Sequence, residues 1–180
     1  MKETVKTLAY DDLLPLDWVE LSAPPDALYL ERLCERNVSL LGRVAAIEER
    51  HRMVGEEGEL EQEINRLHSK MDLLLGLVAS IARTHLKLPD EVELRLSADY
   101  LRWKLVRPVP LKGSRIMLSL YLNPCIAEPL RLPAVVQEQD DGWVGACLEH
   151  PGASCYLALE QHVFLHHRRS VAETRSLVQK

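Results

Sequence analysis

The stretch Glu93-Leu-Arg-Leu-Ser-Ala-Asp-Tyr-Leu-Arg-Trp103 alternates apolar and polar residues on both sides of a short Ser97-Ala-Asp99 break. Side chains of an extended chain point to opposite faces in turn, so Leu94 and Leu96 share one face, as do Leu101 and Trp103. The break is therefore a corner between two strands. Downstream the same period of two continues through Ile116, Leu118, Leu120 and Leu122, then through Leu130 to Gln137 and Trp143 to Leu148. Pro110-Leu-Lys-Gly113 and Asp140-Asp-Gly142 supply turn chemistry between these runs. Leu157 to about Arg175 reads as a closing helix. Antiparallel strands this short and this close in sequence, with edges to hide, predict a small barrel rather than an open sheet.

Upstream the period changes. From Ala27 to about His85 apolar residues recur at three- and four-residue spacing, which predicts long helix. The first half places Leu30, Leu33, Asn37, Leu40, Val44, Ile47, His51 and Val54 at alternating a and d positions of a heptad, with Asn37 read as a polar residue that fixes register. The second half places Ile64, Met71 and Val78 at a, and Leu60, Leu67, Leu74 and Ile81 at d. The two registers do not match. The slip falls on Val54-Gly-Glu-Glu-Gly-Glu59, where each glycine costs a helix about 1 kcal/mol relative to alanine, and two helices with a break near 55–58 are expected. Leu75 at e and Leu77 at g widen the apolar face beyond a two-stranded seam, so the expected assembly is a homo-oligomer, most simply a tetramer.

The organisation that follows is an N-terminal arm at 1–26 able to complete the barrel, a helical oligomerisation segment at 27–87, and a barrel with its C-terminal helix at 88–180. At 47% hydrophobic the chain can bury a proper core. With 22 basic against 27 acidic residues and a net charge of -5, no global field draws it to nucleic acid. The longest apolar tract, Met71 to Ala82, contains Asp72 and is too short to span a bilayer. No apolar run follows Met1-Lys-Glu-Thr-Val-Lys6, so a cleaved signal is not expected and the location expected is cytoplasmic. Cys34, Cys125, Cys147 and Cys155 have no C-x-x-C spacing and read as reduced, mostly buried thiols.

Catalytic and metal chemistry find little purchase. There is no nucleophile elbow, H-E-x-x-H or P-loop, so an enzyme is not expected. His162 and His166 have the spacing of a metal pair, but no third ligand accompanies them, and neither a metal nor a cofactor is expected. The run His166-His-Arg-Arg169 reads as a basic last turn that complements the helix dipole. Arg102 and Lys104 read as the solvated face of a strand.

Taken together, the Ser97 corner, the turn at 110–113, the strand Ser114 to Leu120, Ala134-Val-Val-Gln137 and Gly142-Trp-Val-Gly-Ala-Cys-Leu148 resemble a PilZ domain, a bacterial module best known as a receptor for cyclic di-GMP. The resemblance implies an α+β fold around a six-stranded antiparallel β-barrel. It also implies the two elements with which nucleotide-binding members grip their ligand, an R-x-x-x-R stretch ahead of the barrel and a [DN]-x-S-x-x-G loop. Guanidiniums grip phosphate in fixed fork geometry, and the loop's glycine leaves room for close approach. Here the loop reads Arg95-x-Ser97-x-x-Tyr100, so only the serine stands. The arm holds no arginine, and Arg66-x-x-x-Lys70 and Arg83-x-x-x-Lys87 end in lysine, so the paired arginines are expected to be missing. The expected protein is a regulatory adaptor in cyclic di-GMP-linked signalling that engages another signalling protein without holding the nucleotide itself. The alternative is a receptor for that nucleotide, or another small molecule, that uses non-standard residues.

Overall fold

The computed structural model describes residues 8–50, 59–85, 88–105 and 107–178. Six strands form a closed antiparallel barrel in the order β1-β2-β3-β6-β5-β4. They are β1 (Ala9–Glu20), β2 (Glu91–Ser97), β3 (Tyr100–Lys104), β4 (Arg115–Leu120), β5 (Leu130–Asp140) and β6 (Trp143–Leu148). Among the described residues three helices accompany them: α1 (Ala27–Arg50) and α2 (Glu59–His85) lie between β1 and β2 in sequence, and α3 (Ala153–Val178) follows β6. Of a short extended segment expected at Thr4-Val-Lys-Thr-Leu8 all but Leu8 lies outside the described residues, as does the expected helix break at 55–58.

The sixth strand comes from the N-terminal side, as one strand of twelve residues. Its first half pairs with β2, Tyr10 opposite Leu96 and Leu14 opposite Val92. Its second half pairs with β4, Leu16 opposite Leu120 and Trp18 opposite Leu118. Pro15 stands where the pairing passes from one neighbour to the other, a position that tolerates a residue without an N–H. The hairpin between β5 and β6 turns on Asp141 and Gly142, with φ of 47° and 79°. Two central residues with positive φ match the twist of the strands they join.

The barrel interior is aliphatic: Leu94, Leu96, Leu101, Ile116, Leu118, Leu120, Leu130, Leu132 and Val136 are all buried. Two helices cover it from outside. Asp26, after Pro24-Pro25, starts α1, its Oδ1 accepting the Tyr29 N–H at 2.7 Å. The buried face of α1 is Leu33, Cys34, Asn37, Leu40, Leu41 and Val44, a stripe wider than an a/d seam. It lies against β5 and α3, and α3 in turn lies against β1 and β2.

This corrects the heptad reading of the first helix. Asn37 does not set a register between copies: its Nδ2 donates to the Arg131 carbonyl at 2.7 Å, and its Oδ1 accepts the Arg131 N–H at 3.3 Å. One buried amide therefore satisfies both backbone groups of a β5 residue, as a neighbouring strand would.

The histidines are also placed differently from expectation. α3 continues to Val178, so His166 to Arg169 are not its last turn. His166 Nε2 lies 3.1 Å and Arg169 2.8 Å from the Glu48 carboxylate on α1, and His167 Nδ1 donates to the Ala9 carbonyl at 2.8 Å. His162 Nε2 lies 3.0 Å from the buried Tyr10 hydroxyl. Cys34 and Cys155 are buried, but Cys147 sits on the outward side of β6 and is exposed; all four thiols are free.

Candidate functional site

The corner between β2 and β3 is closed on itself. Ser97, 6% exposed, accepts the Tyr100 N–H and donates to the Tyr100 carbonyl, each at 3.0 Å. The hydroxyl's donor and one acceptor site are thus spent on the turn. Arg95 points outward from β2 and faces Asp11 across the β1 ladder at 3.4 Å. Tyr100 faces outward from β3 and its hydroxyl donates to Glu138 on β5 at 2.7 Å.

On the way the Tyr100 ring passes over β6, where Gly145 has no side chain to obstruct it. Burial, with the Glu138 carboxylate as acceptor, pushes the phenol well above its ordinary range, so it stays a neutral donor. Arg102, beside it on β3, is half-buried with its guanidinium 5.2 Å from the Trp143 ring, so it is not the freely solvated residue that the alternation implies. The structure thus brings Ser97 and Tyr100 together, and leaves Arg95 on the neighbouring outer surface in an ion pair.

The expectation that the chain lacks paired arginines is corrected. Arg32-x-x-x-Arg36 has the spacing, and it stands on α1. With Arg131 the two line a depression of about 250 Å³ beside β5 that does not include Arg95, Ser97 or Tyr100. The signal was present in the sequence as two arginines on one helical face. What it lacked was Arg131, which only the fold brings near.

The second candidate is α2. Ile64, Leu67, Met71, Leu73, Leu74, Leu77, Val78 and Ile81 are between 44% and 65% exposed. The side chains of Leu60 and Leu75 lie outside the described residues. No other helix or strand among the described residues lies against α2. At roughly 1.5 to 3 kcal/mol for each such side chain fully buried, this stripe is a large uncollected driving force. Among the described residues no group of His, Cys, Asp or Glu is placed to hold a metal ion, and no helix is long and apolar enough to cross a membrane.

Comparison with known proteins fits this geometry. No curated protein matches the chain significantly. A solved structure that does match is that of a pathogenic protein from Xanthomonas campestris, a tetrameric PilZ domain self-assembled via an unusual helical bundle. It is 25% identical, covers 93% of this chain and 92% of its own, and superposes with a TM-score of 0.68. The family model for the atypical PilZ domain, cyclic di-GMP receptor, matches residues 40–176, a span that takes in α2, five of the six strands and nearly all of α3. The chain belongs to the atypical PilZ domain family.

Proposed function

We propose that this protein is a non-enzymatic, cytoplasmic adaptor in cyclic di-GMP-linked regulation of motility, pili or virulence. It does not hold the nucleotide at its Ser97 corner, and it works as a homotetramer joined through α2. The observation that carries the first part is Tyr100. Its ring fills the space that a glycine leaves open in the [DN]-x-S-x-x-G loop and is tied to Glu138, while Ser97 is spent on the turn and Arg95 on Asp11. A nucleotide would have to displace all three. The second part is supported by the apolar stripe of α2 and by the Xanthomonas campestris structure, which self-assembles via a helical bundle. Leu60, Ile64, Leu67, Met71, Leu74, Val78 and Ile81 are the proposed interface.

A second reading is a receptor that uses non-standard residues, and Arg32-x-x-x-Arg36 favours it. Calorimetric titration with cyclic di-GMP separates the two. The expected result is no saturable heat at micromolar protein, for wild type and for Arg95→Asp/Tyr100→Gly alike. A saturable micromolar isotherm for the wild type would end the adaptor reading.

A further inference from the structure

The outer face of the barrel beside α1 carries a groove that neither the Ser97 corner nor the α2 seam explains. On one side Arg32 and Arg36 stand one helical turn apart on α1. On the other is Arg131, exposed on β5, its backbone held toward α1 by both bonds to buried Asn37. These guanidiniums have no acid partner among the described residues. The acid that shares their depression, Glu128, is taken by Arg43 at 2.5 Å. Like charges gathered without partners repel, so a site that keeps them is complementary to an anion.

Tyr29 and Arg131 also wall a second, adjoining depression of about 540 Å³ over β1 and β4. The register explains its floor: Asp17, Ser119 and Arg131 form one outward row across three strands, and Val19 and Met117 lie in the next. Leu21, Ala23 and Pro25 continue the wall, so this half is chiefly apolar. Its acids, Asp17 and Asp26, each accept a backbone N–H, from Trp18 and Tyr29 respectively. Small-molecule sites enclose most of their ligand's surface. An open trough with a cationic end and an apolar end suits an extended chain instead.

We propose that this groove receives a partner protein's acidic segment followed by apolar side chains, with carboxylates on Arg32, Arg36 and Arg131 and the apolar residues over Val19 and Tyr29. The inference deepens the adaptor reading and rests on it for its biological sense. It is tested on the full chain by fluorescence polarisation with a labelled synthetic peptide, glutamate-rich in its first half and leucine- and valine-rich in its second. Saturable binding is expected, about tenfold weaker for Arg32→Glu or Arg131→Glu, weaker for Val19→Asp, and unchanged for Arg66→Glu on α2. Arg36→Gln, a milder change on an exposed side chain, should also weaken it. Equal binding by a peptide with lysine in place of glutamate, or serine in place of the apolar residues, would overturn the proposal. So would binding insensitive to the three arginines, or displacement of the peptide by inorganic pyrophosphate at equal concentration, which would make the groove a phosphate site. Displacement by cyclic di-GMP would overturn both the groove and the adaptor reading. Cyclic di-GMP binding that leaves the peptide in place would overturn the adaptor reading alone, and absence of peptide binding with no cyclic di-GMP isotherm would overturn the groove alone.

Discussion

Tyr100 lies directly over Gly145: a methyl group built on that glycine would overlap the phenol's hydroxyl and ring, as well as the Cγ of Glu138. Gly145→Ala is therefore expected to destabilise the barrel by about 1 to 3 kcal/mol, the usual cost of overfilling a close contact. In a Tyr100→Gly background the same change should cost much less, because the ring is gone and Glu138, freed from its bond, can swing away. Urea unfolding of the four proteins in a double-mutant cycle measures the difference. Additive effects would show that the ring does not rest on Gly145.

The proposed α2 interface makes a prediction about mass. Leu67→Asp or Leu74→Asp should dissociate the assembly, since a carboxylate in an apolar layer shared by several copies is repeated in every copy. The same change at exposed Ser69, at position f, should leave the mass unaltered. Sedimentation equilibrium reads this directly, and a wild-type mass near 20.5 kDa across a wide concentration range would refute the tetramer.

Asn37 joins α1 to β5, and its loss should be costly. Asn37→Leu leaves the Arg131 N–H and carbonyl without their buried partner, at about 1 to 3 kcal/mol for a stranded group. Asn37→Asp should be at least as damaging, because it keeps the acceptor, loses the donor and buries a charge. Both should lower the urea midpoint without altering the mass of the assembly at low denaturant. A midpoint unchanged by Asn37→Leu would mean that the helix is held by its apolar face alone.

Acid should weaken the monomer fold through the α1, α3 and β1 junction. His162 is pushed down to about 3 from its ordinary 6.5, first by burial and then by His166. The folded state thus binds this proton less readily than the unfolded chain, so its share of stability is complete above about pH 6.5 and falls as pH drops toward 3. The slope approaches about 1.4 kcal/mol per pH unit for one site. Burial alone would raise Glu48, but its hydrogen bond with His166 and the charges of His166 and Arg169 outweigh that and hold it below its ordinary 4.5. Its share is present above about pH 4.5 and is lost as pH falls below that and the carboxylate protonates. His162→Gln should flatten the profile from about pH 6.5 downward and leave the Glu48 loss that begins below about 4.5, as read from urea midpoints at a series of pH values.

Much of the barrel is legible in the sequence because its strands alternate cleanly. Leu94, Leu96, Leu101 and Trp103 announce their faces within a few residues of one another. β1 is harder to see. Asp11 and Asp12 stand side by side and Pro15 interrupts the strand, and what makes it a strand is pairing to residues far along the chain. α1 misleads for a different reason. Over three heptads a seam of period 3.5 and a core stripe of period 3.6 drift apart by only about 20° per heptad. Leu41 and Cys34, buried outside the a and d positions, distinguish them only once the barrel is in view. Arg32 and Arg36 look like the solvated charge of any amphipathic helix until Asn37 brings Arg131, 94 positions away, to their side. Tyr100 reads as a bulky replacement in a loop, and its seat on Gly145 depends on which strand lies beside β3.

The placement of both α1 and α2 between β1 and β2 sets an order on biosynthesis. Among the described strands β1 leaves the ribosome first, yet the strands it pairs with are β2 and β4, and β4 ends at Leu120. Closing so long a loop costs only logarithmically more than closing a short one, so the insertion is tolerable once made, but β1 must wait for its second neighbour. α2 is complete before any barrel strand but β1 exists. With α2 as the proposed interface, copies emerging on neighbouring ribosomes of one message would be able to zip their α2 helices together while each barrel is still open, and the earliest of the described strands would be one of the last locked in place.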